Sequence, residues 1–156
     1  RIVFINGAQD VLDAERLKSA CKGVMDQIVL LDKMRTADLY KVMRGARLIV
    51  DSYPHGGCNT SLEAFYMHKA IITFPHTCLR GRFTYGFYQR MGIEEGPIAW
   101  SFEEMGAKVL RYWSDGQARE ALEEAIGKRQ QGLFQDLESV HEWNMLLAVL
   151  TPRMSP

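Results

Sequence analysis

A surplus of one charge is the first thing this sequence lacks. Its 156 residues carry 19 Lys and Arg against 19 Asp and Glu, so the formal net charge is zero. No run of basic residues offers the electrostatic footprint of a nucleic-acid binder. No apolar stretch approaches the ~20 residues that span a bilayer, and no signal-peptide pattern is present. Cysteine is sparse. Cys21, Cys58 and Cys78 are odd in number and not closely paired, which excludes a disulfide framework and points to a reduced, cytoplasmic setting. The four histidines, at 55, 68, 76 and 141, have no metal-ligand spacing with those cysteines. An Asp-x-Asp motif is missing, so a metal-bridged diphosphate is not expected and no metal site is assigned. Internal repeats and low-complexity segments are absent too. The chain opens at Arg1 directly in a strand-like run, which reads as a piece of a longer protein.

What is present is an alternation of short apolar runs with helical patterns. Residues 2–5, 28–31, 48–50 and 70–74 read as buried strands, and Pro97-Ile98-Ala99-Trp100 as a short fifth. Asp10 can cap a helix carrying Leu12, Leu17, Ala20 and Cys21. Thr36 can cap a short one with Leu39, Val42 and Met43. Thr60-Ser61-Leu62-Glu63 and Ser101-Phe102-Glu103-Glu104 both fit capping boxes. A helix from about Leu79 carries Phe83, Phe87 and Met91 and stops at Gly92. Two more helices are expected near residues 116–131 and 133–150. The pattern predicts an α/β fold: a Rossmann-like parallel sheet of about five strands with helices on both faces. It predicts one domain over residues 1–152 and a loose tail at 153–156.

Parallel sheets bind ligands beyond the carboxyl ends of their strands. At that edge, after Leu48-Ile49-Val50, lies Asp51-Ser52-Tyr53-Pro54-His55-Gly56-Gly57-Cys58-Asn59-Thr60-Ser61-Leu62-Glu63. A glycine pair, small polar residues and a new helix N-terminus make an anion cradle, because the first helical turn presents unpaired N–H groups and partial positive charge. Asn59, Thr60, Ser61 and the amides at 58 to 62 would be the donors. Glu63 has two readings: third residue of its own capping box, or a carboxylate for a ribose diol. Asp51 either ties down its own turn or acts as a base. His55 is either a solvated loop residue or a phosphate donor or acid–base group. Arg80 and Arg82 open the next helix, where a cation opposes the dipole unless an anion joins it.

Read together, Leu48 through Met67, with Lys69-Ala70-Ile71-Ile72-Thr73-Phe74-Pro75 and Arg82 through Ile93, resemble the donor-binding segment of the O-linked N-acetylglucosamine transferase family. That family has an aspartate-ended strand, a Gly-rich turn with Thr and Ser, and an acidic residue on the following helix. The resemblance implies a GT-B glycosyltransferase, two Rossmann-like lobes across a cleft, of which this chain would be the C-terminal, donor-binding lobe. By position, Asn59, Thr60 and Ser61 would hold the diphosphate and Glu63 the ribose of a nucleotide-sugar, with Gly56, Gly57 and Cys58 in the same donor-binding turn, UDP-sugar as the expected donor and no other cofactor. The base would lie near Lys33 to Leu39. There the family places a lysine and a base-stacking histidine; this chain has no histidine in that segment, leaving Lys33, Arg35 or Tyr40 to substitute. No catalytic residue is assigned beyond the candidates His55 and Arg82. The implied partners are the donor, an N-terminal acceptor lobe, and an acceptor glycan or protein. An epimerase or phosphorylase of similar architecture, or a non-catalytic nucleotide- or protein-binding module, are the alternatives.

Overall fold

The computed structural model describes residues 1–6 and 11–150, leaving aside the side chains at 6 and 11–14. The expected cap at Asp10 and the tail at 153–156 lie outside the described residues. The chain divides into two compact units, residues 1–42 and residues 43 onward.

The first unit contains β1 (Ile2–Asn6), α1 (Val11–Ala20), a 3-10 turn (Met25–Gln27) and β2 (Ile28–Asp32), with α2 (Thr36–Gly45) crossing the boundary in sequence. β1 and β2 pair in parallel, Ile2 with Ile28 through Asn6 with Asp32. A parallel pair needs a crossover, which the α1 segment supplies. Successive residues of a strand face opposite sides. Ile2, Val3, Phe4 and Ile5 are all exposed, so both faces of β1 are bare. The Leu39 N–H donates to the Arg35 carbonyl (3.0 Å). Arg35 therefore precedes the first helical turn, and Thr36 is the first helical residue rather than the cap.

The second unit runs β3 (Ile49–Val50), α3 (Asn59–Tyr66), β4 (Ile71–Ile72), a 3-10 turn (Leu79–Gly81), α4 (Phe83–Arg90), α5 (Phe102–Ser114), α6 (Gly116–Arg129), α7 (Gln131–Phe134) and α8 (Leu137–Leu150). β3 and β4 are parallel. The described residues thus hold four strands in two small sheets, not five in one. The expected fifth strand at 97–100 makes a single parallel bridge, Thr73 to Ile98. Tyr88 supplies the reason. Its hydroxyl accepts from the Ile71 N–H (3.0 Å) and donates to the Ile71 carbonyl (2.9 Å), occupying the edge that a longer neighbour would use. Tyr88 is fully buried, and burial pushes its phenol well above the ordinary range. Its ring meets Phe65 edge-on at 4.9 Å, and Phe65, Ile71, Ile72, Ile98 and Ile126 complete the core.

The expected helix from Leu79 splits into the 3-10 turn and α4. Its stop at Gly92 (φ 64°) is as expected: Ile93 N–H reaches the Tyr88 carbonyl and Gly92 N–H that of Gln89, both at 2.9 Å. This is a Schellman cap. α3 ends the same way on a histidine, with His68 at φ 59° and Lys69 N–H bonded to Ala64. Ser101 caps α5 as expected, accepting from Glu104 N–H (3.1 Å). The Glu104 carboxylate reaches back one residue further than a capping box requires, to the Trp100 N–H (2.7 Å). That backbone bond, with Lys108, holds its carboxyl below the usual range. Every residue of α8 except the half-buried Ser139 is exposed, Trp143 and Leu146 included. No helix of the described residues is long and apolar enough to cross a membrane.

Tyr88→Phe removes one hydroxyl and strands two buried backbone groups of β4. Such groups cost about 1–3 kcal/mol each when unpaired. Urea titration is expected to give a lower midpoint at unchanged slope, a loss of about 2–6 kcal/mol.

Candidate functional site

β3 ends at Val50, and the next residue, Asp51, is buried. Its Oδ1 accepts from the backbone N–H of Ser52 (3.0 Å) and of Gly57 (2.6 Å). Its Oδ2 accepts from the Thr73 hydroxyl (2.9 Å) at the end of β4. The carboxylate therefore folds residues 52–57 back onto the strand ends. With both oxygens engaged, Asp51 ties down its turn, the first of its two sequence readings. Ser52 Oγ donates to the His55 carbonyl within the same turn.

The glycines are demanded by close approach. A Cβ at Gly56 would lie 3.0 Å from Asp51 Oδ2, and one at Gly57 would lie 2.5 Å from Ser61 Oγ. The turn is also locked to the segment after β4. Gly56 N–H donates to the Arg80 carbonyl (3.0 Å), and a Cβ at Gly81 would run into the Pro54 carbonyl and His76 Cβ. Thr84 closes the arrangement. Its hydroxyl donates to the Gly57 carbonyl (3.2 Å) and lies 2.7 Å from Ser61 Oγ. Because the Thr84 proton is committed to Gly57, Ser61 is the donor of that pair.

Three expectations change here. Ser61 is buried and its hydroxyl is spent on Thr84, which leaves only its amide as a candidate donor. The N-cap of α3 is Cys58, without a side-chain cap bond, rather than Thr60. Glu63 consequently sits in the second turn and not at the third helical position, so the capping-box reading fails. Glu63 is half-buried and has a partner of its own. The Leu62 N–H bonds to the Cys58 carbonyl (3.1 Å) and leaves the donor set. The amides of Asn59, Thr60 and Ser61 remain outside the helical ladder, as the first amides of any helix do. The side chains of Cys58, Asn59 and Thr60 are exposed beside them.

His55 is exposed in the same turn. Arg80 and Arg82 are exposed on the neighbouring segment, and neither pairs with a carboxylate among the described residues. The Arg82 guanidinium lies 5.5 Å from the Tyr85 ring centre. Lys33 and Arg35 are exposed in the first unit, where Arg35 Nε is 3.9 Å from Asp38. No group of three or more His, Cys, Asp or Glu gathers as metal ligands among the described residues. Thr73, Gly81 and Thr84 hold the turn together and were not singled out from sequence. Only Gly81, a glycine between two arginines, carried a local signal.

No family model matches the chain, and no curated protein matches it in sequence. Among solved structures, it is similar to a lysine-to-methionine mutant of the O-GlcNAc transferase of Thermobaculum terrenum, with 27% identity and a TM-score of 0.69. The match covers 90% of this chain and 29% of that one. It supports a GT-B glycosyltransferase-like fold, and the chain spans under a third of the length of the protein it matches.

Gly57→Ala places a methyl on Ser61 Oγ and breaks the Ser61–Thr84 pair. Overpacking of this kind costs about 1–3 kcal/mol. A thermal melt is expected to show that loss, and Ser61→Ala in the same background is expected to recover part of it.

Proposed function

We propose that this glycosyltransferase-like chain is the donor-binding lobe of an enzyme that transfers a sugar from a nucleotide diphosphate sugar to an acceptor. The observation that carries the reading is the presence, on two adjoining segments, of the uncommitted amides at Asn59, Thr60 and Ser61 and of two arginines, 80 and 82, that have no carboxylate partner among the described residues. The Gly56–Arg80 bond ties these two groups of donors together. A helix N-terminus carries about half a positive charge, and guanidinium forks match phosphate oxygens. The likeness to an O-GlcNAc transferase structure supports the same class.

On this reading the diphosphate rests on the first turn of α3, with Asn59 and Thr60 adding side-chain donors. Gly56 and Gly57 let the turn close on Asp51 and Ser61 just before these donors, and Glu63 is assigned to the ribose. In the reaction, the bond from the anomeric carbon to the β-phosphate oxygen breaks, and the bond to an acceptor oxygen forms. Negative charge grows on the leaving diphosphate, where fixed donors stabilise it. The acceptor's proton goes to a general base. His55 and Arg82 stay candidates for roles at the diphosphate. The donor is proposed to be a UDP-sugar held without metal, since the helix N-terminus and arginines supply the positive charge. The rest of a longer protein, bearing the acceptor lobe, is proposed to cover the apolar surface of α8.

Calorimetric titration of the chain with UDP, GDP and ADP tests this. One diphosphate is expected to bind best, with affinity unchanged by a magnesium chelator. Loss of a hydrogen bond to a charged group weakens Thr60→Ala by about tenfold. Arg82→Ala is expected to weaken binding and flatten its salt dependence. No binding by any diphosphate, here or in a longer chain with the acceptor lobe, would end the reading.

A further inference from the structure

Four rings gather at the carboxyl ends of the second unit's strands. Tyr53 follows β3, Phe74 and His76 follow β4, and Phe102 follows the bridge at Ile98. Tyr53 and Phe74 stack with centroids 4.9 Å apart and planes 13° from parallel. Phe102 stands nearly perpendicular to both at 5.1 Å, and His76 meets Tyr53 edge-on at 5.4 Å. Ring contacts of this geometry also hold the core pair Phe65 and Tyr88, which is fully buried. The edge cluster differs: Tyr53 is 41% exposed and Phe102 60%. Such rings, mutually ordered yet open to solvent, form a preorganised apolar surface.

Its rim is polar. His76 Nδ1 accepts from the Cys78 N–H (3.1 Å), so the neutral ring carries its proton on Nε2 as a donor. Tyr53 adds a phenol. Tyr53 also belongs to the turn that Asp51 clamps, three residues before Gly56, and the Gly81 contact packs the His76 segment against that turn. A few polar groups around an aromatic wall is the usual make-up of a small-molecule pocket.

We propose that this cluster is the sugar subsite, taking the apolar C–H face of a pyranose on Tyr53 and Phe102 and its hydroxyls on the rim. The inference rests on the donor-lobe reading, which sets the diphosphate on α3 and the ribose at Glu63. The group on the other phosphate is assigned to the loop side, because Tyr53 belongs to the same clamped turn that leads into α3. A hexose has one flat apolar face with hydroxyls at its edge, which fits this surface. A nucleobase offers two flat faces and gains most from parallel stacking, whereas Phe74 already takes the parallel position on Tyr53.

The test compares each nucleotide diphosphate with its own glucose conjugate, by calorimetry on the 156-residue chain, for the native protein and Phe102→Ala. Phe102 is the first residue of α5 and largely exposed, so the variant is expected to keep the native melting curve. The expected result is a three- to tenfold loss of affinity for the conjugate with unchanged affinity for the bare diphosphate. Equal losses for both, or no loss for either, would overturn the sugar subsite and leave the diphosphate site standing. If this chain binds no diphosphate, the same comparison is made on a longer chain with the acceptor lobe, and absence of binding there too would overturn both readings. Should Phe102→Ala unfold, saturation-transfer NMR on the native chain decides. Irradiating aromatic protons is expected to reach the hexose ring more strongly than the base, and the reverse would refute the assignment.

Discussion

The Asp51 carboxylate stands where a strand, a turn and a second strand meet. A buried carboxylate is costly unless hydrogen bonds surround it. Here those bonds come from the amides of Ser52 and Gly57 and from the Thr73 hydroxyl. Each tie also does structural work. Thr73 fixes the carboxylate to β4, and Gly57 brings the glycine turn home just before α3 begins. The amides of Asn59, Thr60 and Ser61 follow directly and lie outside the helical ladder, as the first amides of any helix do. The Gly56–Arg80 bond then carries the second loop into register. Glycine at 56 and 57 is a consequence, since any Cβ there would meet the carboxylate or Ser61.

Backbone accounting explains the small sheets. A strand edge must find partners for its N–H and C=O groups. At Ile71 both are satisfied by one phenol, from Tyr88. The next pair, at Thr73, is satisfied by Pro97 and Ala99, and the bridge stops there. In the first unit the opposite holds, since β1 presents apolar side chains on both faces to solvent. All-parallel sheets are ordinarily covered on both sides. α8 is likewise exposed along nearly its whole length.

The alternation of strands and helices, the strand–turn–helix from 48 to 67, the Gly92 stop and the Ser101 cap were all legible in the order of residues. Each depends on neighbours within a few positions: side-chain periodicity, a cap three residues from its target, a glycine at positive φ. The GT-B resemblance was legible for the same reason, because its motif is one contiguous turn.

What the tertiary structure decided lies between residues far apart in the chain. Ser61 reads as a ligand donor until Thr84, 23 positions on, takes its hydroxyl. Asp51 has two readings until Thr73, 22 positions on, takes its second oxygen. The strand at 97–100 reads as a full member of the sheet until Tyr88 fills the edge beside Ile71. A hydroxyl or carboxylate has the same local signature whether it faces a ligand or a neighbour, and only packing brings the neighbour within hydrogen-bonding distance. Residue order thus determined where the strand–turn–helix would form, and the fold decided which of its polar groups remain uncommitted.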